Sequence, residues 1–93
     1  MSGVATDGGG DRVPVDSDAV WPADAADVTE AVVSNWFVRE GARVEAGETI
    51  CEIQIEKVSV DVPAPATGTL DEVVRGEADE FERGATLAWV VPE

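Results

Sequence analysis

The chain has 93 residues, enough for one small domain with a marginal core and little room for a deep enclosed active site. Six Lys and Arg stand against twenty Asp and Glu, a formal charge of −14 that repels nucleic acid and anionic lipid rather than attracting them. A single cysteine, Cys51, excludes an internal disulfide, and no run of about eighteen apolar residues could span a membrane.

Residues 1–18 are rich in Gly, Asp and Ser and read as a disordered acidic tail. The start lacks the basic region and apolar stretch of a secretory signal, so the expected location is cytoplasmic. Gly8-Gly9-Gly10 lacks the Lys-Ser/Thr and flanking elements of a phosphate loop. Asp16-Ser17-Asp18 lacks the length and glycine of a calcium loop and reads as solvated. From Ala19 onward, short Val-, Ile- and Thr-rich runs are punctuated by Gly and Pro, which predicts an all-β domain over 19–93. Strands are expected near 19–22, 29–38, 49–55, 58–62, 67–74 and 85–91.

An internal repeat organises these runs. Val44, Gly47, Ile50 and Ile53 recur 37 residues later as Phe81, Gly84, Leu87 and Val90. The same offset takes Val33 to Leu70, Trp36 to Val73, Phe37 to Val74 and Gly41 to Ala78, where the repeat expects glycine. Each half is too small to bury its own apolar face, so the two must pack on each other. The expected architecture is a flattened β-barrel or sandwich of two antiparallel sheets with pseudo-twofold symmetry. Gly47 and Gly84 then serve tight turns, and Gly68 fits a turn after Val62-Pro63-Ala64-Pro65.

The run Thr49–Ile55, the pair Glu56-Lys57 and the run Val58–Val62 read as a hairpin with a two-residue turn. In that register Ile55 faces Val58, Gln54 faces Ser59, Ile53 faces Val60, Glu52 faces Asp61 and Cys51 faces Val62. Alternation then sorts Ile55, Ile53, Cys51, Val58, Val60 and Val62 onto one face, and Gln54, Ser59, Glu52 and Asp61 onto the other. A one-residue slip would scramble the sorting. Cys51 is expected as a small buried hydrophobe, and Trp36 and Trp89 as core. Glu52 opposite Asp61 is an unfavourable like-charge pair, and Glu-Lys is not a preferred two-residue turn.

Lys57, at the apex, is the only lysine in the chain. An acidic protein can be short of lysine for compositional reasons alone, and acidic, lysine-poor surfaces resemble those of proteins from salt-loving organisms. The fold is accordingly expected to tighten in molar KCl. An accessible primary amine on a rigid mount also suits covalent attachment of a carrier cofactor.

These pieces together resemble a lipoyl domain of the biotinyl/lipoyl-attachment family, as found in dihydrolipoyl acyltransferases of 2-oxoacid dehydrogenase complexes. The resemblance covers about 19–92 and rests on order and spacing: Trp21-Pro22, Val28-Thr29-Glu30-Ala31, Trp36–Gly41, Val44-x-x-Gly47-x-x-Ile50, Ile55-Glu56-Lys57-Val58, Val62–Pro65 and Gly68. It implies Lys57 as the modified residue, carrying lipoic acid in amide linkage. The lipoyl arm would shuttle acyl groups and reducing equivalents, with Glu56, Val58, Gln54 and Ser59 as the recognition surface around it.

Lipoyl domains usually have Asp-Lys-Ala at the tip, and biotin carriers have methionine on both sides of the lysine. Here Glu56 and Val58 take those places, which favours lipoyl over biotin, and the alternative is a biotin carboxyl carrier for a carboxylase. The implied partners are a lipoate–protein ligase or octanoyl/lipoyl transferase, a 2-oxoacid decarboxylase, an acyltransferase and dihydrolipoamide dehydrogenase. The domain is expected to be a monomer and a substrate of enzymes, not an enzyme. The chain is too short for the subunit-binding and catalytic domains of a full acyltransferase, so two readings stand. One is a free-standing carrier, similar in role to the H protein of glycine cleavage and mildly favoured by the start and by the end just past the last strand. The other is a domain excised from a longer polypeptide.

Overall fold

Two four-stranded antiparallel sheets face each other in the computed structural model, which describes residues 12–93. In chain order the strands are β1 (Val13–Asp16), β2 (Glu30–Trp36), β3 (Arg43–Val44), β4 (Thr49–Ile55), β5 (Val58–Pro63), β6 (Gly68–Val73), β7 (Glu80–Glu82) and β8 (Thr86–Pro92). One sheet runs β1-β8-β6-β3 and the other β5-β4-β2-β7. The result is the flattened β-sandwich that the patterning predicts, with short 3₁₀ turns at Ser17–Val20 and Ala23–Ala25.

The 37-residue repeat is the symmetry of the fold. It carries β4 onto β8, β2 onto β6 and β3 onto β7, so the two sheets have the same strand order. The repeated apolar positions are the core: Val33 and Leu70, Val44 and Phe81, Ile50 and Leu87, Ile53 and Val90 are all buried. Each half contributes two long strands to one sheet and a short strand, β3 or β7, to the other, and burying the two apolar sheet faces against each other is the main stabilising term.

The crossovers are equivalent as well. The Gly41 N–H donates to Leu70 O at 2.7 Å and the Ala78 N–H to Val33 O at 2.8 Å. Phe37 N–H donates to Ile50 O and Val74 N–H to Leu87 O, both at 2.9 Å. The carboxylate of Glu40 accepts from Val73 N–H at 2.8 Å, and that of Glu77 from Trp36 N–H at 3.1 Å. Each half therefore satisfies backbone donors of the other, which a buried or half-buried backbone requires.

The first strand departs from expectation. It is Val13–Asp16, not 19–22, and it forms the edge of the sheet by pairing with β8. Val15 is buried against the core, and Pro14 is tolerated because an edge strand can spare a donor. The Asp16 carboxylate then accepts from Asp18 N–H at 2.9 Å and starts a 3₁₀ turn where a strand was expected. Strand β1 thus lies inside the segment expected as tail, and residues 1–11 of that segment lie outside the described residues. Arg12 stacks over Trp89 at 4.7 Å and pairs with Asp71 and Glu72, tying β1 to the sheet.

Two further differences concern β3 and β7, which are too short to show as apolar runs, and Gly68. Gly68 opens β6 rather than turning the chain. A Cβ there would sit 2.0 Å from Val91 O, so close approach of the neighbouring strand demands the glycine. No helix of the described residues is long and apolar enough to cross a membrane.

Candidate functional site

The hairpin of β4 and β5 has the register read from the sequence: Ile55 opposite Val58, Gln54 opposite Ser59, Ile53 opposite Val60, Glu52 opposite Asp61 and Cys51 opposite Val62. Cys51, Ile53, Ile55 and Val62 are buried and anchor the hairpin in the core. Val58 shares their face but is 44% exposed, because the tip extends past the edge of the core. It is a surface residue beside Lys57, where the alternation alone placed it with the buried set.

Lys57 is exposed at the second position of the turn. Among the described residues, no carboxylate lies within salt-bridge distance of its amine. Glu56, at the first position, has φ +54°, a left-handed conformation that costs a side-chain-bearing residue on the order of 1–2 kcal/mol. The Gln54 side chain donates from Nε2 to Glu56 O at 3.1 Å, holding the central peptide of the turn. Gln54, Glu56, Val58 and Ser59 are all exposed around the amine, so the structure brings the whole set together.

Two open grooves flank the tip, each of about 600 Å³ or slightly less. One is lined by Pro22, Asp24, Asp27 and Val28 on one side and by Ile55–Val58, including Lys57, on the other. The second lies against β2 and β7 and presents Glu30, Glu56, Glu80 and Glu82 around Phe81. The amine therefore stands in a field of unpaired carboxylates. Surfaces that approach it will be favoured if they are cationic.

The groove wall at residues 22–30 was not legible from the sequence. The segment leading into it, Asp16-Ser17-Asp18, is expected as solvated from its sequence; Asp16 and Asp18 are exposed, and Ser17 is not. Ser17 is fully buried and accepts from Gly84 N–H at 3.0 Å, and Asp18 pairs with Arg83 at 2.6 Å. The carboxylates of this segment cap and latch the chain that leads into the wall.

The described residues hold no cluster of metal-ligating side chains, and Cys51 is buried, its thiol pushed up to about 12 by desolvation. A protonated buried thiol is neither nucleophile nor ligand. What the arrangement offers is one free amine, on a mount anchored by the core.

Comparison with known proteins agrees with this geometry. A family model described as "Biotin-requiring enzyme", the biotin/lipoyl model, matches residues 19–90. The dihydrolipoyllysine-residue succinyltransferase component of the 2-oxoglutarate dehydrogenase complex of Bartonella vinsonii subsp. berkhoffii is 41% identical over 63 residues, 68% of this chain and 15% of that protein. The dihydrolipoyllysine-residue acetyltransferase component of the pyruvate dehydrogenase complex of Corynebacterium glutamicum is 32% identical over 72 residues, 77% of this chain and 11% of that protein. The lipoamide acyltransferase component of the branched-chain alpha-keto acid dehydrogenase complex of Bacillus subtilis is 33% identical over 66 residues, 71% of this chain and 16% of that protein. The chain thus spans only a small part of the length of these relatives. With most of its sandwich matched by the family model, the chain belongs to the biotinyl/lipoyl-attachment family.

Proposed function

We propose that this chain is a lipoyl carrier, with lipoic acid joined by an amide to Nζ of Lys57. It would serve a 2-oxoacid dehydrogenase-type complex, moving acyl groups and reducing equivalents between its components. The observation that carries the reading is the placement of the chain's only lysine, exposed and without a carboxylate partner among the described residues, at the tip of a core-anchored hairpin. The residues present fit the group. A free ammonium has no ion pair to surrender when acylation removes its charge, and the tip leaves open space on both sides.

When bound, the cofactor supplies a dithiolane that accepts and releases acyl groups and electrons; the chain supplies its mounting. Lys57 provides the linkage. Cys51, Ile53, Ile55 and Val62 fix the hairpin, and Gln54 pins the turn peptide. Glu56, Val58, Gln54 and Ser59 form the recognition surface for a lipoate–protein ligase or octanoyl/lipoyl transferase, and then for the decarboxylase, acyltransferase and dihydrolipoamide dehydrogenase components. The domain acts as a monomer in the cytoplasm and is a substrate of these enzymes, not a catalyst.

Glu56 and Val58 flank the lysine where biotin carriers have methionine, and the three relatives described above are lipoyl-bearing or lipoamide acyltransferase components by name. Both facts support lipoyl over biotin. Intact-mass measurement of the protein from its native host, with Lys57→Arg beside it, tests the assignment. A lipoyl addition that disappears in the variant is the expected result. A biotinyl addition, or a lipoyl signal that survives Lys57→Arg, overturns it.

A further inference from the structure

The groove beside Lys57 has one wall built from short turns, bridged internally by the Trp21 Nε1–H, which donates to Ala25 O at 2.9 Å. Residues 17–28 hold two 3₁₀ turns of four and three residues joined by Trp21-Pro22, followed by residues 26–28. Such short turns have poor hydrogen-bond geometry and little independent stability. Only Ser17, Trp21 and Ala25 of this segment are buried. Yet the segment supplies Pro22, Asp24, Asp27 and Val28 to the groove that also contains the Lys57 amine.

The Arg83 side chain makes several of its contacts from outside. The Arg83 guanidinium donates from Nε to Asp18 Oδ1 at 2.6 Å and from Nη1 to Ala26 O at 3.2 Å, and it lies 5.8 Å from the centre of the Trp21 ring. Its backbone N–H donates to Thr29 O at 2.9 Å. Arg83 therefore grips the segment near its start, at its middle and at its end, from the turn between β7 and β8. Ser17, next to Asp18, is fastened to the same turn through Gly84 N–H and Ala85 O.

We propose that Arg83 is a positioning residue for recognition at Lys57: it sets the shape of the wall at residues 22–30 against which modifying and acyl-exchanging partners dock. This rests on the carrier reading of Lys57. Arg83 does not line the groove and acts through the segment it holds. An exposed ion pair adds little to global stability, and here the side chains of Arg83 and Asp18 are 38% and 52% exposed. The consequence of losing it is therefore local. The hairpin stays folded on its buried residues while the wall opens.

The test uses the whole chain, with lipoate–protein ligase, octanoate and ATP as the probe of Lys57. Arg83→Gln and Asp18→Ala are compared with Arg43→Gln, which breaks the exposed pairs to Glu93 and Glu45 and changes the net charge as Arg83→Gln does. Expected for Arg83→Gln is a KM for the domain raised about three- to tenfold, as one or two lost docking hydrogen bonds would give, with kcat unchanged. Amide exchange at Ala25, Ala26 and Val28 quickens while β4 and β5 keep their protection. Asp18→Ala shows the same pattern, should Arg83→Gln fail to fold, and Asp18→Glu restores the wild-type KM.

An unchanged KM in Arg83→Gln and Asp18→Ala, or an equal rise in Arg43→Gln, overturns the proposal. So does unaltered exchange at residues 18–29. A wild-type chain that the ligase leaves unmodified removes the carrier reading and the recognition claim together. A modified wild type whose KM the latch variants share removes only the latter.

Discussion

Gly41 and Ala78 occupy the same place in the two halves of the sandwich. Their φ angles are +92° and +72°, and each N–H donates across to the opposite half, at Leu70 O and Val33 O. The position demands a left-handed residue, and in the second half alanine meets that demand at a cost of about 1–2 kcal/mol, where glycine is free of it. Ala78→Gly should therefore stabilise the protein by roughly 0.5–1 kcal/mol once the extra entropy of an unfolded glycine is subtracted. Gly41→Ala should destabilise it by roughly 0.5–1 kcal/mol, the same two terms with the sign reversed, although nothing lies within 4 Å of the added Cβ. Urea unfolding measures both. A stabilising Gly41→Ala would contradict the positive φ.

Legibility followed the length of the pattern. The hairpin register was readable because five positions per strand alternate, and a slip would have exposed Ile53 and Ile55. The symmetry was readable because the paired core positions recur at one offset. Strand β1 was not, because Val13-Pro14-Val15 is too short to stand out beside Gly- and Asp-rich residues, and its pairing with β8 spans the whole domain. Exposed Val58 was misplaced for a different reason: alternation assigns a face, not how far the core extends beneath it. The wall at 22–30 escaped because 3₁₀ turns have no apolar period, and the Arg83 contacts that define it span up to 65 residues.

Gly68 should be among the least replaceable residues. Its missing side chain lets β8 approach, and a Cβ would meet Val91 O at 2.0 Å and the Val91 carbonyl carbon and Pro92 Cα at 2.8 Å. These are backbone atoms, so a strand must move. Gly68→Ala should cost roughly 2–3 kcal/mol. The damage should appear by NMR at β6 and β8, at Leu70, Val90 and Val91, and spare the Lys57 hairpin in the other sheet. A variant as stable as the parent would mean that the strands are further apart.

The buried Cys51 thiol makes stability sensitive to alkaline pH. Desolvation pushes it from an ordinary 9.0 up to about 12 in the folded chain. Below pH 9 it is neutral whether folded or unfolded, and its full contribution is present. Between about 9 and 12 the unfolded chain ionises and the folded one does not, so stability falls by about 1.4 kcal/mol per pH unit from this group. Cys51→Ala should start less stable at neutral pH, through a lost buried sulfur, yet show a shallower decline from pH 9 to 11. Chemical denaturation across that range reads the slope. Equal slopes in both proteins would mean that the native thiol ionises as freely as in the unfolded chain.

Salt dependence should be strong and partly assignable to particular residues. Two like-charge pairs face each other across strands, Glu30 opposite Glu82 and Glu52 opposite Asp61, within a chain of formal charge −14. Directly opposed like charges destabilise by a few tenths of a kcal/mol up to about 1 kcal/mol, and Asn35 Nδ2 offers Glu52 only a long contact of 3.5 Å. Molar salt shortens the screening length to about 3 Å, below the spacing of most exposed charges. Thermal melts followed by circular dichroism should therefore shift upward as KCl is raised from dilute buffer to molar concentration. Asp61→Asn should stabilise the protein in dilute buffer by roughly 0.5 kcal/mol, and the gain should fade in molar KCl. Mutation there leaves Lys57 and its grooves untouched, so modification should proceed at the parental rate. A melting temperature indifferent to KCl, or an Asp61→Asn gain that persists at high salt, would show that cross-strand repulsion is not what limits this fold.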